Sequence, residues 1–389
     1  MRYRSFGRLI LAVFVVVGGW ALQMTIASAG SSGGSQTSAA DLEPLALSEY
    51  TPLLVHNEGP DMSKGVIYFI DGLDKDDRSR DDFRATYPVI YQMNRTYGWD
   101  VVAAKFPNDQ DYGMSSVPQS SLFVLERLRT LKRQGYKKIV LAGQSWGAWV
   151  SVDAAIQKQA DKPIDSLLLM APANYGSKEY QGKPNEYYQL NKTEFLQNIR
   201  AITIPTVSVF FRNDEFDPGG RGPATRETFS RNGVPLLLID RPEDFEGHGA
   251  AWQLRFAALY GGCIERFMQT QIQAACGVAE RKPYLETALV TSEDALKTPG
   301  SGARLAGADA LAGQTLVETS PLGAVSINTI SGDRVDITTM DSAYAMQLSS
   351  KGNLTCIGKI CRKLYRLADQ GFVSIDDQGA VSAWFVPAR

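Results

Sequence analysis

Histidine is nearly absent from this chain: its 389 residues contain two, His56 and His248. So few imidazoles argue against a histidine-built metal centre, and any imidazole base has to be one of these two. Cysteine is almost as scarce, with Cys263, Cys276, Cys356 and Cys361 falling into two sequence-local pairs. Their spacings are not those of a zinc site. They read as two disulfides, which belong to an oxidising compartment. Closing the loop between Cys263 and Cys276 would contribute about 3 kcal/mol by restricting the unfolded chain. Net charge is small as well, −2 at pH 7, and no basic stripe interleaves with aromatics. Nothing in that balance points to nucleic acid or to an anionic membrane surface. After the first thirty residues no apolar run is long enough to cross a bilayer. No internal repeat is visible.

The first thirty residues read as an address. Arg2, Arg4 and Arg8 precede an apolar stretch from Leu9 to Leu22, and Ala27-Ser28-Ala29 forms an A-x-A cleavage site. Residues 1–29 are expected to be a signal peptide. The mature protein is expected to be exported, periplasmic or secreted from a bacterial cell, with no integral membrane span. Residues 30–49, rich in Ser and Gly at the start, read as a flexible leader.

From residue 50 to 278 short apolar runs alternate with helical spacing. Val66 to Ile70, Asp100 to Pro107, Lys137 to Ala142, Ile164 to Pro172, Thr206 to Phe211 and Pro235 to Asp240 read as strands. Helical patterns fall at Phe83 to Tyr97, Val117 to Gln134, Ala148 to Gln157 and Gly249 to Gln269. Apolar strands alternating with amphipathic helices predict an α/β fold, a mostly parallel sheet covered on both faces. Residues 174–200 interrupt the alternation. Tyr175, Tyr180, Tyr187 and Tyr188 there predict a short cap offering stacking area and hydroxyls to a substrate. Residues 279–313, rich in Ala, Gly and Ser, read as a linker. Short β-like runs punctuated by Gly, Asn and Asp then predict a small all-β domain over 314–389, with Cys356–Cys361 stapling a tight turn.

The chemistry starts at Gly143-Gln144-Ser145-Trp146-Gly147. An apolar strand precedes this Gly-x-Ser-x-Gly and a helix follows it, the context of a nucleophile elbow. Such a turn strains the serine backbone and leaves no room for a Cβ at either glycine. It also sets the hydroxyl at the positive end of the following helix.

A serine hydroxyl needs a positioned base. His56 sits in a polar loop before the first core strand and reads as a surface residue. His248 follows the last strand in Glu246-Gly247-His248-Gly249, where a base can reach over the sheet edge to Ser145. The base in turn needs an acid to hold its tautomer. Asp214, Glu215 and Asp217 all follow the strand ending at Phe211. Asp214 is preferred, Asp217 is its competitor, and as Asp-Pro it can simply start a turn.

The order Ser145, Asp214, His248, with the elbow after an internal strand, resembles the α/β-hydrolase superfamily over about residues 50 to 275. The resemblance implies Ser145 as nucleophile, His248 as base and acid, and Asp214 as orienting acid. It also implies an oxyanion hole from two backbone N–H groups, those of Trp146 and Leu73. Members often carry His-Gly in the loop before the second donor; this chain has Asp71-Gly72. The implied activity is that of a serine hydrolase cleaving a small-molecule or polymer ester, with no cofactor and no metal. A peptidase, an acyltransferase or a catalytically idle binding module is the alternative on the same fold. The acidic run Asp74 to Asp82 lacks the ligand spacing of an EF-hand and reads as a solvated loop.

Overall fold

The computed structural model describes residues 56–72, 88–104, 106, 116–158, 162–277, 287, 290–298, 301–320, 325–339, 343–368 and 371–388. The expected signal peptide and leader, the acidic run after Gly72, and Leu73 lie outside the described residues. Chain order begins β1 (Val66–Ile70), α1 (Pro88–Tyr97), β2 (Asp100–Ala103), α2 (Val117–Arg133), β3 (Ile139–Gln144), α3 (Trp146–Ile156) and β4 (Ser166–Met170). It continues with β5 (Glu179–Tyr180), β6 (Lys183–Pro184), α4 (Leu190–Asn198), β7 (Thr206–Phe210), α5 (Arg221–Asn232), β8 (Leu236–Asp240) and α6 (Leu254–Thr270).

Six strands form one parallel sheet in the order β2-β1-β3-β4-β7-β8. The continuous apolar strands of the sequence are explained by burial on both faces. Val66, Tyr68 and Ile70 of β1 pack on one side with α2 and α3, where Leu125, Leu128, Ala148 and Val152 meet them. Ile67 and Phe69 point the other way, towards Val89, Ile90 and Met93 of α1 and Phe256, Ala257 and Phe267 of α6. The alternation is the two-residue period of a strand.

The remaining elements are α7 (Glu293–Lys297), β9 (Arg304–Ala306), β10 (Thr315–Thr319), β11 (Val325–Ser331), β12 (Arg334–Thr339) and β13 (Ala343–Lys351). They end with β14 (Leu354–Ile357), β15 (Ile360–Arg366), β16 (Phe372–Ile375) and β17 (Val381–Pro387). Strands β10 to β17 pair antiparallel with their chain neighbours, and β10 also pairs with β17. The tail is therefore a closed up-and-down barrel. Closure removes the sheet edges that a small β domain would otherwise expose. Leu316, Ile330, Val335, Ile337, Leu364 and Phe385 fill its interior.

Several boundaries differ from the sequence reading. Within the stretch read as a linker, Arg304–Ala306 forms β9, which pairs with β15 beside the barrel. Three residues are too few to show a period, so the strand is invisible in the pattern. Cys356 and Cys361 are bonded to each other and stand directly opposite in the β14–β15 hairpin. Cys263 and Cys276 are bonded too, tying α6 to the chain that leaves it. The helix after β8 starts at Leu254 rather than Gly249, after a 3-10 turn over Ala250–Trp252.

The barrel does not stand apart from the parallel sheet. Tyr91 of α1 and Leu254 and Ala258 of α6 share one apolar cluster with Leu296, Val317, Val373, Ile375 and Trp384. Trp384 Nε1 donates to Val290 O at 2.8 Å. Glu293 of α7 accepts from Tyr365 Oη at 2.7 Å and from Lys363 Nζ at 2.9 Å, which seats α7 on the barrel wall.

Candidate active site

The elbow follows from local sterics. Ser145 adopts φ 54° and ψ −120° between β3 and α3. A Cβ on Gly143 would lie 2.3 Å from the Gly147 carbonyl, and one on Gly147 would lie 2.1 Å from Ile70 O. Only glycine allows the start of α3 to press this closely on the ends of β1 and β3. The turn is locked by Ser145 N–H donating to Met170 O at 3.0 Å and by Ala173 N–H donating to Ser145 O at 3.1 Å. Two further strands of this sheet edge end on left-handed residues, Ala171 after β4 and Arg241 after β8. Trp146 opens α3, and its ring packs edge-on against Phe106, 5.7 Å between centroids.

His248 arrives from β8, at the far edge of the sheet from β1. Its loop is laced to the end of β7, where Gly247 N–H donates to Arg212 O at 2.7 Å. Its Nδ1 lies 2.9 Å and 3.1 Å from the two carboxylate oxygens of Asp214. A carboxylate only accepts, so Nδ1 carries a proton. Nε2 is buried, and among the described residues nothing hydrogen-bonds to it. Asp214 is itself buried and also accepts from Phe216 N–H at 2.8 Å. The Phe216 ring lies against the imidazole, with centroids 4.3 Å apart.

Asp217 is placed elsewhere. Arg221 Nε donates to it at 2.8 Å, Gly219 N–H at 2.9 Å and Arg241 Nη2 at 3.2 Å. Burial works to raise its pKa, but Arg221 and the other donors overcome this and hold the carboxyl below the usual range. Glu215 is exposed. His56 is a surface residue, 3.4 Å from Glu58.

The four tyrosines of residues 174–200 take different positions. Tyr175 turns inward: its ring meets Trp149 edge-on at 5.6 Å and its hydroxyl donates to Glu194. Burial and that carboxylate push the phenol up to about 12. Tyr187 faces solvent. Tyr188 is half-buried beside the acid loop, where burial first and then Asp217 and Asp214 raise its pKa. Of Tyr180 only the backbone, in β5, is described.

Phe216 and Gln144 also belong to this site and were not singled out from the sequence. Phe216 lies among three carboxylates that draw attention first. Gln144 occupies the variable position of the motif. Among the described residues no cluster of three metal-ligating side chains occurs, and no helix is long and apolar enough to cross a membrane.

A parallel sheet with helices on both faces, a serine elbow after an internal strand, and an Asp–His pair carried by the last two strands define the α/β-hydrolase fold. Solved structures similar to this chain include the esterase Est1E of Butyrivibrio proteoclasticus, with 16% identity, 55% of this chain and 91% of that one covered, and a TM-score of 0.39. The Pyrococcus furiosus esterase Pf2001 matches with 18% identity, coverage of 53% and 81%, and a TM-score of 0.37. Thermogutta terrifontis esterase 2, phosphonylated by cyclosarin, matches with 16% identity, coverage of 51% and 77%, and a TM-score of 0.34. No family model and no curated protein matches the chain.

Proposed function

We propose that the protein is an exported serine hydrolase that cleaves a carboxylic ester through an acyl-enzyme on Ser145. The observation that carries this reading is the contact of His248 with the buried Asp214, with an unpartnered Nε2, on the same sheet edge as a strained serine elbow. Ser145 Oγ attacks the ester carbonyl while His248 Nε2 takes its proton. Asp214 holds the imidazole in the Nδ1–H tautomer and offsets the positive charge that forms. The N–H groups of Trp146 and Leu73 receive the oxyanion. His248 then protonates the departing alcohol. The same base activates water for attack on the acyl-enzyme, which returns Ser145 and releases the acid. Tyr188, half-buried near Asp217 and Asp214, is the tyrosine we assign to meet a substrate. Export is supported by the signal-peptide pattern of residues 1–29 and by the two disulfides.

A fluorophosphonate probe tests the reading. It should label the mature protein at Ser145, and Ser145→Ala should lose both labelling and p-nitrophenyl ester hydrolysis. Absence of labelling on folded wild-type protein would make the fold a binding module rather than an enzyme.

A further inference from the structure

The base loop has to span the sheet edge. His248 follows β8, whereas Ser145 follows β3, and β4 and β7 lie between those strands. On the β7 side the loop is held by Arg212 N–H to Phe245 O, Gly247 N–H to Arg212 O, the Asp214 carboxylate on Nδ1 and the Phe216 ring on the imidazole. All of them fix the imidazole relative to the acid. None fixes it relative to the serine.

One side chain spans that gap. Gln144, the last residue of β3, is 4% exposed. Its Nε2 donates to the backbone carbonyl of His248 at 3.3 Å. Its Oε1 lies against the backbone after β1: a Cβ added to Gly72 would sit 2.6 Å from Oε1 and 3.2 Å from Ser145 Cβ. The amide is therefore wedged between the base loop and the Asp71-Gly72 turn. Gly72 is small because a side chain there would displace either the amide or the nucleophile.

We infer that Gln144 is a positioning residue that sets the register of His248 against Ser145, an inference that rests on the reading of Ser145 as nucleophile. Nucleophile and tether are adjacent on one backbone segment, and that segment is held rigidly by Gly143 and Gly147. Motion of the base loop is thus referenced to the serine by the shortest covalent path available. The tether grips the His248 carbonyl and leaves the ring free to carry its proton. Catalytic geometry is sensitive to displacements of this kind: about an ångström of misplacement costs on the order of 100-fold in rate.

The test compares wild type with Gln144→Met, which keeps the length and bulk of the side chain but has no N–H. The expected result is a fall of about tenfold in kcat, with KM within twofold, a parallel fall in the rate of fluorophosphonate labelling, and a melting temperature close to wild type. Gln144→Glu places a carboxylate near the imidazole, and an opposite charge favours the protonated ring. Its kcat–pH profile should therefore show the acid limb moved to higher pH. Gln144→Asn, too short to reach His248, should behave like Gln144→Met and serves if that variant does not fold. Wild-type kcat and labelling in Gln144→Met or Gln144→Asn would overturn the inference. So would a lowered melting temperature with unchanged kcat, which is the signature of a purely structural residue. If wild-type protein is itself neither labelled nor active, it is the hydrolase reading that fails.

Discussion

Asp214 turns both carboxylate oxygens towards Nδ1 of His248, at 2.9 Å and 3.1 Å, from a loop three residues short of a second buried carboxylate that never faces the ring. That second group, Asp217, is held by Arg221 and Arg241. The two acids therefore differ in partner as well as in position.

Substituting them should give opposite phenotypes. Asp214→Asn is expected to lower kcat by about 10⁴, the size of the loss when a triad acid can no longer hold its histidine tautomer. Its melting temperature should change little. Asp217→Asn leaves Arg221 buried beside a neutral partner, and breaking a buried pair costs about 3–5 kcal/mol. That variant should melt well below wild type while the folded fraction keeps most of its kcat. Steady-state kinetics and thermal melts of both variants check the ranking, and the reverse ranking would move the acid to Asp217.

At the elbow, Gly143→Ala and Gly147→Ala each place a Cβ within 2.3 Å of backbone atoms. Backbone cannot swing aside as a side chain can, so both variants should fold poorly or not at all. Gly182→Ala has φ +73° but nothing within 4 Å of the added carbon. It carries only the left-handed strain, about 1–2 kcal/mol, and should express normally. Soluble yield separates the two cases.

Reduction should act mainly through the longer of the two disulfide loops. Cys263 and Cys276 are 13 residues apart, Cys356 and Cys361 only 5. Chain-entropy reasoning assigns about 3 kcal/mol to the first and about 2 kcal/mol to the second. Cys263→Ala/Cys276→Ala should accordingly lower the melting temperature more than Cys356→Ala/Cys361→Ala.

Docking of α7 on the barrel should fail in acid. Glu293 is held near 2, against an ordinary 4.5, first by the Tyr365 hydroxyl and then by Lys363. The folded pKa is depressed, so this contact stabilises above about 4.5 and its contribution is lost as pH falls towards 2. Wild type should melt above Glu293→Gln near neutral pH, and the gap should narrow across that window. A gap constant down to pH 2 would remove Glu293 as the titrating group.

A chain ending near Arg281 would retain Ser145, Asp214, His248 and the Cys263–Cys276 bridge. It would also uncover Tyr91, Leu254 and Ala258, which the barrel now buries. We expect ester hydrolysis per folded molecule to survive, together with a lower melting temperature and a tendency to aggregate. Light scattering beside p-nitrophenyl ester turnover measures both.

The features legible in the sequence are those with local causes. The strands of the parallel sheet show as apolar runs because both faces are covered. The elbow shows because its two glycines answer to clashes within a few residues of chain and with the neighbouring strand end. His248 stands out by scarcity. Most barrel strands show because turn residues punctuate them, whereas β9, of three residues, is too short to carry a period. Tertiary structure decided the rest. Asp214, Glu215 and Asp217 all follow one strand, and the sequence prefers Asp214 only by its distance from that strand. Asp217 is captured by Arg241, which comes from the end of another strand, and Asp214 meets His248 from yet another loop. Tyr175 and Tyr188 read alike until Trp149 and Glu194 draw one into the core. Gln144 occupies a position any residue may fill in the motif, and only the loop folded over it from β8 gives its amide a partner. Closure of the barrel, and its seat on α1 and α6, likewise depend on contacts between segments far apart in the chain, which local composition does not encode.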